Sequence, residues 1–326
     1  MPLIALDDIR AAHTRIAGTA LRTPLIALPG HPGIFIKDES AQPIGSFKLR
    51  GAFNAIALLA ERDPAALKRG VITYSSGNHA QGVAYAARAL GTKAVITMPD
   101  NAPTVKVEAT RALGAEVVFT GPASSARKLK AEELAAEHGY TIIPPYDDPA
   151  IIAGQATCAV EILEQAGTED LLILSPVSGG GLLSGTATGT KLLSPSTQVW
   201  GVEPALAADA TESFRTRTLV EWPAASTTRT IADGLRTQSL GHLNFEHILA
   251  FVDGIVNVTE EEIFDAMRVY LSTTNLIPEP SGAVTLAAAL YHAQELPKAA
   301  KTVVILSGGN LDPALRTQLE SELAAH

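Results

Sequence analysis

Short runs of apolar and β-branched residues recur along this chain, at 33–37, 71–74, 94–98, 116–119, 171–177, 199–202 and 302–306. Several are nearly continuous Val, Ile and Leu, which marks strands covered on both faces rather than strands with one wet face. Between them lie longer stretches of helical spacing. Leu49, Ala52, Phe53, Ile56, Leu59 and Ala60, for example, fall on one side of a helix. Strands alternating with helices predict an α/β architecture of parallel sheets covered by helices. In such folds ligands sit beyond the carboxyl ends of the strands.

Four strands run into polar turns that contain glycine. Gly45-Ser46-Phe47-Lys48-Leu49-Arg50-Gly51-Ala52 opens a helix with a lysine in its first turn, where the helix dipole disfavours a cation. That lysine is either a solvated surface residue or a Schiff-base lysine. At a reference pKa of about 10.4, roughly one free lysine in a few thousand is neutral at pH 7, so the second role needs desolvation or a cationic neighbour. Ser75-Ser76-Gly77-Asn78-His79 follows the strand at 71–74. It reads either as an ordinary helix cap or as a carboxylate site made of backbone N–H groups and hydroxyls. Ser178-Gly179-Gly180-Gly181-Leu182-Leu183-Ser184-Gly185 follows the strand at 171–177 and suits close approach of backbone to a phosphate. Ser307-Gly308-Gly309-Asn310 closes the series and says little alone.

The net charge of −9 gives no electrostatic reason to expect nucleic acid or an anionic membrane, so an anionic ligand must be held locally. Cys158 is the only cysteine, and the first residues lack the pattern of a signal peptide, which together predict a cytoplasmic protein. No run is long and apolar enough for a membrane span. The Pro-rich stretch at 143–149 is a candidate crossing between two lobes. No His-Glu-x-x-His and no Gly-x-Ser-x-Gly elbow is present. A dinucleotide site stays open as a rival: Gly179, Gly181 and Gly185 follow a strand, and Glu203 ends the next one where a ribose-binding acid would stand. A non-enzymatic binding module is the remaining alternative.

In the order of these motifs, with Ile152-Ala153-Gly154-Gln155 and Glu279-Pro280-Ser281-Gly282, the chain resembles the fold-type II pyridoxal-phosphate enzymes. Within them it is most similar to the serine/threonine dehydratase and serine racemase group, which includes hydroxyaspartate dehydratases. The resemblance implies a two-lobed, tryptophan synthase β-like fold, with a large cofactor domain from 1–69 plus 148–326 and a small domain from 70–147. It also implies a homodimer. Its implied activity is β-elimination of water and ammonia from a β-hydroxy amino acid to a 2-oxo acid, with amino-acid racemisation as the alternative.

The same resemblance implies site roles. Lys48 would carry pyridoxal 5′-phosphate and serve as base at Cα, with Phe47 against the ring and Asn78 on its 3-oxygen. Ser178, Gly179, Gly180, Gly181 and Leu182 would hold the phosphate, Ser307 would face the pyridine nitrogen, and Glu279 would line the cofactor site. Ser75, Ser76, Asn78 and His79 would hold the substrate carboxylate. Ser76 would stand opposite Lys48, where a hydroxyl could deliver a proton from the other side, as racemisation requires. Tyr146 stands where racemase-like members have asparagine, which favours a dehydratase. Arg127 matches an arginine of racemase-like members and reads either a distal carboxylate or only solvent. Glu203, the Ala207 carbonyl and Asp209 would bind Mg²⁺, or Ca²⁺ or Mn²⁺, as oxygen donors suit a hard cation. The stretch after Asn310 is too short for the regulatory domain of biosynthetic threonine dehydratases.

Overall fold

A computed structural model describes residues 2–102, 104–121 and 124–324. Among these residues ten strands form two sheets: β1 (Leu25–Ala27), β2 (Ile34–Asp38), β3 (Val71–Tyr74), β4 (Ala94–Pro99), β5 (Glu116–Thr120), β6 (Thr141–Ile142), β7 (Leu171–Pro176), β8 (Gln198–Pro204), β9 (Gly254–Val258) and β10 (Lys301–Leu306). The larger sheet has the order β1-β2-β10-β7-β8-β9 and the smaller β5-β4-β3-β6. All pairings are parallel except that of β1 with β2. The α/β expectation therefore holds, and the seven anticipated strands form within a residue or two of their expected ends.

Three strands gave no signal in the sequence, and each lies at a sheet edge: β1, β6 and β9. β1 and β6 are only three and two residues long. In β9 buried residues alternate with half-buried ones, so a continuous apolar run never develops. The central strands behave otherwise. On β7, Leu172 and Leu174 face the Glu260–Thr273 and Pro280–Tyr291 helices, whereas Ile173 faces the Pro149–Ala166 and Gly181–Leu193 helices. Val304 and Leu306 of β10 divide from Val303 and Ile305 in the same way. A strand alternates its side chains between faces, so burying both faces demands apolar residues at every position. Each such side chain contributes about 1.5–3 kcal/mol.

The Lys48–Arg62 helix joins the two sheets. Leu49, Ala52, Phe53 and Ile56 pack against Val71, Ala94, Ile96 and Met98 of the small sheet, as the helical spacing predicts. Its other side is buried too. Gly51 and Gly154 bring it close to the Pro149–Ala166 helix, and a Cβ on Gly154 would stand 2.6 Å from the Gly51 Cα. Arg50, fully buried, bonds both carboxylate oxygens of Glu39 at 2.7 and 2.8 Å and both of Glu161 at 2.7 and 2.9 Å. Lys37 adds a 2.6 Å ion pair to Glu161. Two cations and two anions thus neutralise one another beneath the first turn of the helix that carries Lys48.

Candidate active site

The sheet order brings the glycine turns together. β10 lies between β2 and β7, so the turn after β10 stands beside the turn after β7 and the segment after β2. Residues 45–47 and 307–309 are stitched directly: Phe47 N–H donates to Ser307 O at 3.0 Å, and Gly309 N–H to Gly45 O at 2.9 Å. Asn310 donates to Ile44 O at 2.9 Å and to Asn78 Oδ1 at 2.7 Å, and Asn78 donates to Glu279 Oε1 at 2.7 Å. Glu279 N–H in turn donates to Gly308 O at 3.1 Å. The first, second and fourth turns are therefore one hydrogen-bonded unit. The third meets it through Tyr146, whose ring lies against Gly179 and whose Cβ lies against Gly181.

Lys48 stands where these elements meet. Its Nζ donates to Pro145 O at 2.8 Å and lies 5.2 Å from the centre of the Phe47 ring. Burial brings its pKa down to about 8, against the opposing pull of the Glu279 carboxylate. About a tenth of the amine is then neutral at pH 7, far more than for a free lysine. Glu279 is pushed up to about 7 by burial and by Asp233, while Asn78, Lys106 and Lys48 oppose the rise. A desolvated amine at the C-terminal edge of a parallel sheet is the arrangement that imine formation requires.

The 178–182 turn fits a phosphate. Gly180 has φ +95°, a backbone that favours glycine, and a Cβ there would stand 2.8 Å from Asn244 Cβ. A Cβ on Gly179 would stand 2.4 Å from the Tyr146 ring. The turn opens the Gly181–Leu193 helix, whose first N–H groups have no partner inside the helix. Ser178 shares a 2.8 Å hydroxyl bond with Thr237, a residue that sequence reasoning missed because one threonine in a loop carries no local signal. A side-chain-free cradle, a desolvated amine and Asn78 together match a phosphate-bearing aldehyde. Ser307, 3% exposed, is buried beneath this unit. Its hydroxyl lies 3.4 Å from Ser281 O.

Glu203 and Asp209 are both buried beside one another, and burial raises the pKa of both, with Asp209 adding to the rise at Glu203. Glu203 accepts from Ala210 N–H at 3.0 Å and from Thr211 N–H and Oγ at 2.8 Å. Asp209 Oδ2 has no partner among the described residues. Ala207, whose carbonyl belongs to the expected donor set, is fully buried in the turn between them. An orphaned buried carboxylate oxygen beside a second carboxylate fits a hard cation. The same geometry removes Glu203 from the dinucleotide reading: it is buried and bound by backbone amides, so it cannot reach a ribose.

The expected substrate loop follows β3. Ser75 Oγ accepts from Gly77 N–H at 3.3 Å, Ser76 is partly exposed, and Asn78 opens the Asn78–Ala89 helix. The His79 ring is turned away into the core, 2% exposed, with Nε2 3.0 Å from Ile143 O. Arg127 lies in the first turns of the Ser124–His138 helix, its carbonyl accepting from Thr97 Oγ at 2.9 Å. Its Nε is buried without a partner among the described residues, and burial lowers its pKa. Sequence reasoning also missed the Pro145 carbonyl at Lys48, since a main-chain oxygen has no residue signature.

Comparison with known proteins places this geometry among relatives. The family model described as pyridoxal-phosphate dependent enzyme matches residues 16–308. An L-threo-3-hydroxyaspartate ammonia-lyase of Pseudomonas sp is 43% identical over 317 residues, covering 96% of this chain and 97% of that protein. A serine racemase of Schizosaccharomyces pombe is 40% identical, with 94% of each chain covered. Among solved structures, a threonine deaminase of T.th. superposes with a TM-score of 0.88 at 44% identity, over 95% of this chain and 99% of that one. No described helix is long and apolar enough to cross a membrane.

Proposed function

The chain belongs to the pyridoxal-phosphate dependent enzymes, and from that premise we propose that it is an ammonia-lyase acting on a β-hydroxy amino acid, which it converts to a 2-oxo acid and ammonia. The observation that carries this reading is Lys48, a desolvated amine set between a glycine phosphate cradle and the Asn78–Glu279–Asn310 unit.

Lys48 would hold pyridoxal 5′-phosphate, with Ser178, Gly179, Gly180, Gly181 and Leu182 on the phosphate, Asn78 on the 3-oxygen, Phe47 beside the ring, Glu279 lining the site and Ser307 at the pyridine nitrogen. When bound, the cofactor supplies a sink for the electron pair left at Cα. Ser307, a neutral hydroxyl, would not hold a ring nitrogen protonated as a carboxylate would, and the weaker sink would suit prompt loss of a β-leaving group. The 75–79 turn binds the substrate carboxylate through hydroxyls and backbone N–H groups. That grip orients the Cα–H bond toward Lys48, and such positioning is worth about 7–11 kcal/mol. The freed Lys48 amine takes the Cα proton, and the ammonium so formed can return that proton to the departing β-hydroxyl, which leaves as water.

Arg127 supports 3-hydroxyaspartate within the substrate class. Its main chain stands at the same sheet edge as the 75–79 turn, since Thr97, which bonds its carbonyl, pairs with Tyr74 just before that turn, and its guanidinium is partly buried with Nε unpartnered among the described residues. A second carboxylate on the substrate would neutralise it. Glu203, the Ala207 carbonyl and Asp209 would hold Mg²⁺, Ca²⁺ or Mn²⁺. A homodimer, and lobes divided at 70 and 147, complete the reading. A racemase reading rests on Ser76 and on the racemases among the relatives.

Purified enzyme should show a visible cofactor band and release ammonia from at least one of serine, threonine, 3-hydroxyaspartate and phenylserine. K48A should lose both, and turnover by K48A would overturn the reading. Chiral analysis of unreacted substrate separates the alternatives, because inversion without ammonia means a racemase.

A further inference from the structure

We propose that His79 is a positioning residue for Lys48, acting through the strap at 143–145 rather than on the substrate carboxylate. The proposal rests on Lys48 being the cofactor lysine. The strap crosses from β6 to the Pro149–Ala166 helix and is tied at both ends. Ile143 N–H donates to Ile72 O at 2.8 Å, and Asp147 accepts from His242 and Leu243 N–H at 3.1 and 2.8 Å. Between the ties lie Pro144 and Pro145, which lack N–H groups and have fixed φ, so the segment is stiff. It presents two carbonyls inward. The His79 ring holds Ile143 O at 3.0 Å, and Lys48 Nζ holds Pro145 O at 2.8 Å.

The chemistry of the ring follows from its partner. A carbonyl only accepts, so Nε2 carries the proton and Nδ1 is bare, and Nδ1 is buried without a partner among the described residues. Burial and the nearby Lys48 charge bring the His79 pKa down to about 3, against the pull of the Ile143 carbonyl, so the ring is neutral throughout the working range. Replacing it therefore changes no charge at the site. The titratable groups that face Lys48 are Glu279 and His79 itself, with Lys106 and Asp233 acting on Glu279. A ring that releases the strap withdraws Pro145 O from the amine. Loss of an acceptor disfavours the ammonium form and leaves the amine mispointed.

The test compares H79L, which keeps bulk and loses the donor, with H79Q, which restores an N–H near the Nε2 position. In the cofactor-loaded enzyme, H79L should lose about 10- to 100-fold in kcat, the size of effect of a reacting group displaced by about 1 Å. KM should stay within about twofold, and the acidic limb of the kcat–pH profile should move to lower pH. H79Q should recover most of the rate and return the limb. A ¹⁵N-histidine spectrum of the unmutated enzyme should show one neutral Nε2–H ring, unchanged from about pH 5 to 9. A KM increase with kcat and limb unchanged would return His79 to carboxylate binding. An H79Q no better than H79L, or a His79 resonance, assigned by its absence in H79Q, that titrates in this range or reports a proton on Nδ1, would overturn the proposal. If H79L does not fold, the rate and pH limb of H79Q against the unmutated enzyme carry the test, and the spectrum can still overturn it. These outcomes are separate from K48A, whose retained turnover would defeat the functional reading itself.

Discussion

Two clusters of buried acids behave in opposite ways. Beneath Lys48, Glu39 and Glu161 face Arg50 and Lys37, and each carboxylate has a cation within 2.7 Å. After β8, Glu203 and Asp209 face one another, and among the described residues they have only backbone and hydroxyl donors and one oxygen without a partner. Burial disfavours charge in both places. In the first, Arg50 overcomes it and holds Glu39 below the usual carboxylate range. In the second nothing does, and both acids rise. The difference separates scaffold from site. Glu39 and Glu161 are neutralised within the fold, whereas the proposed metal site keeps a carboxylate oxygen without a partner among the described residues.

The contrast can be broken most directly at Arg50. R50M leaves two buried glutamates without their main partner and should cost about 3–5 kcal/mol, read by urea unfolding. A loss under about 1 kcal/mol would show that the cluster is not neutralised in solution as described. The acid pair should respond to metal instead. Mg²⁺ at about a hundredfold above its dissociation constant should stabilise the enzyme by about 2.7 kcal/mol, and chelator should reverse the shift. E203Q/D209N should unfold at the same temperature with and without Mg²⁺, and any remaining metal-dependent shift would move the cation elsewhere.

Acid sharpens the comparison, because the two clusters have opposite signs. Glu39 is depressed when folded, so its contribution is present above the unfolded value near 4.5 and is lost as pH falls through the folded one. The acid pair is raised when folded. In chelator its contribution is greatest below the unfolded values and is lost as pH rises through the folded ones. Stability measured in chelator should therefore gain less between pH 5 and 8 than stability measured in Mg²⁺, and parallel curves would contradict the pairing. The smallest effect concerns Cys158. Its thiol is buried 3.8 Å from Glu39, and burial pushes its pKa far up, so a thiol reagent should label it only on unfolding.

Some of this was legible in the residues and some was not. Lys48, the 178–182 turn and Asn78 stand in contiguous motifs, where a glycine or a helix start restricts the backbone within a few residues. Arg50 gave no such sign. One residue beyond Leu49 on the helix, it looks like a solvent-facing cation until Glu39 and Glu161 arrive from distant segments. His79 was legible as a member of the polar turn after β3, but the direction of its ring was not, because a side chain's aim depends on what surrounds it. The edge strands β1, β6 and β9 were silent for a related reason, since they are short or only alternately buried and bury too little to force a pattern.

The sequence by itself determined the α/β class, the central strands and the four turns, because burial on two faces and glycine backbones are local demands that each segment must meet alone. The tertiary structure decided which acids are neutralised, which carbonyl meets the lysine and where the histidine points. Those depend on desolvation and on partners distant along the chain, such as Lys37 and Glu161 at 124 positions apart, and folding alone brings them together.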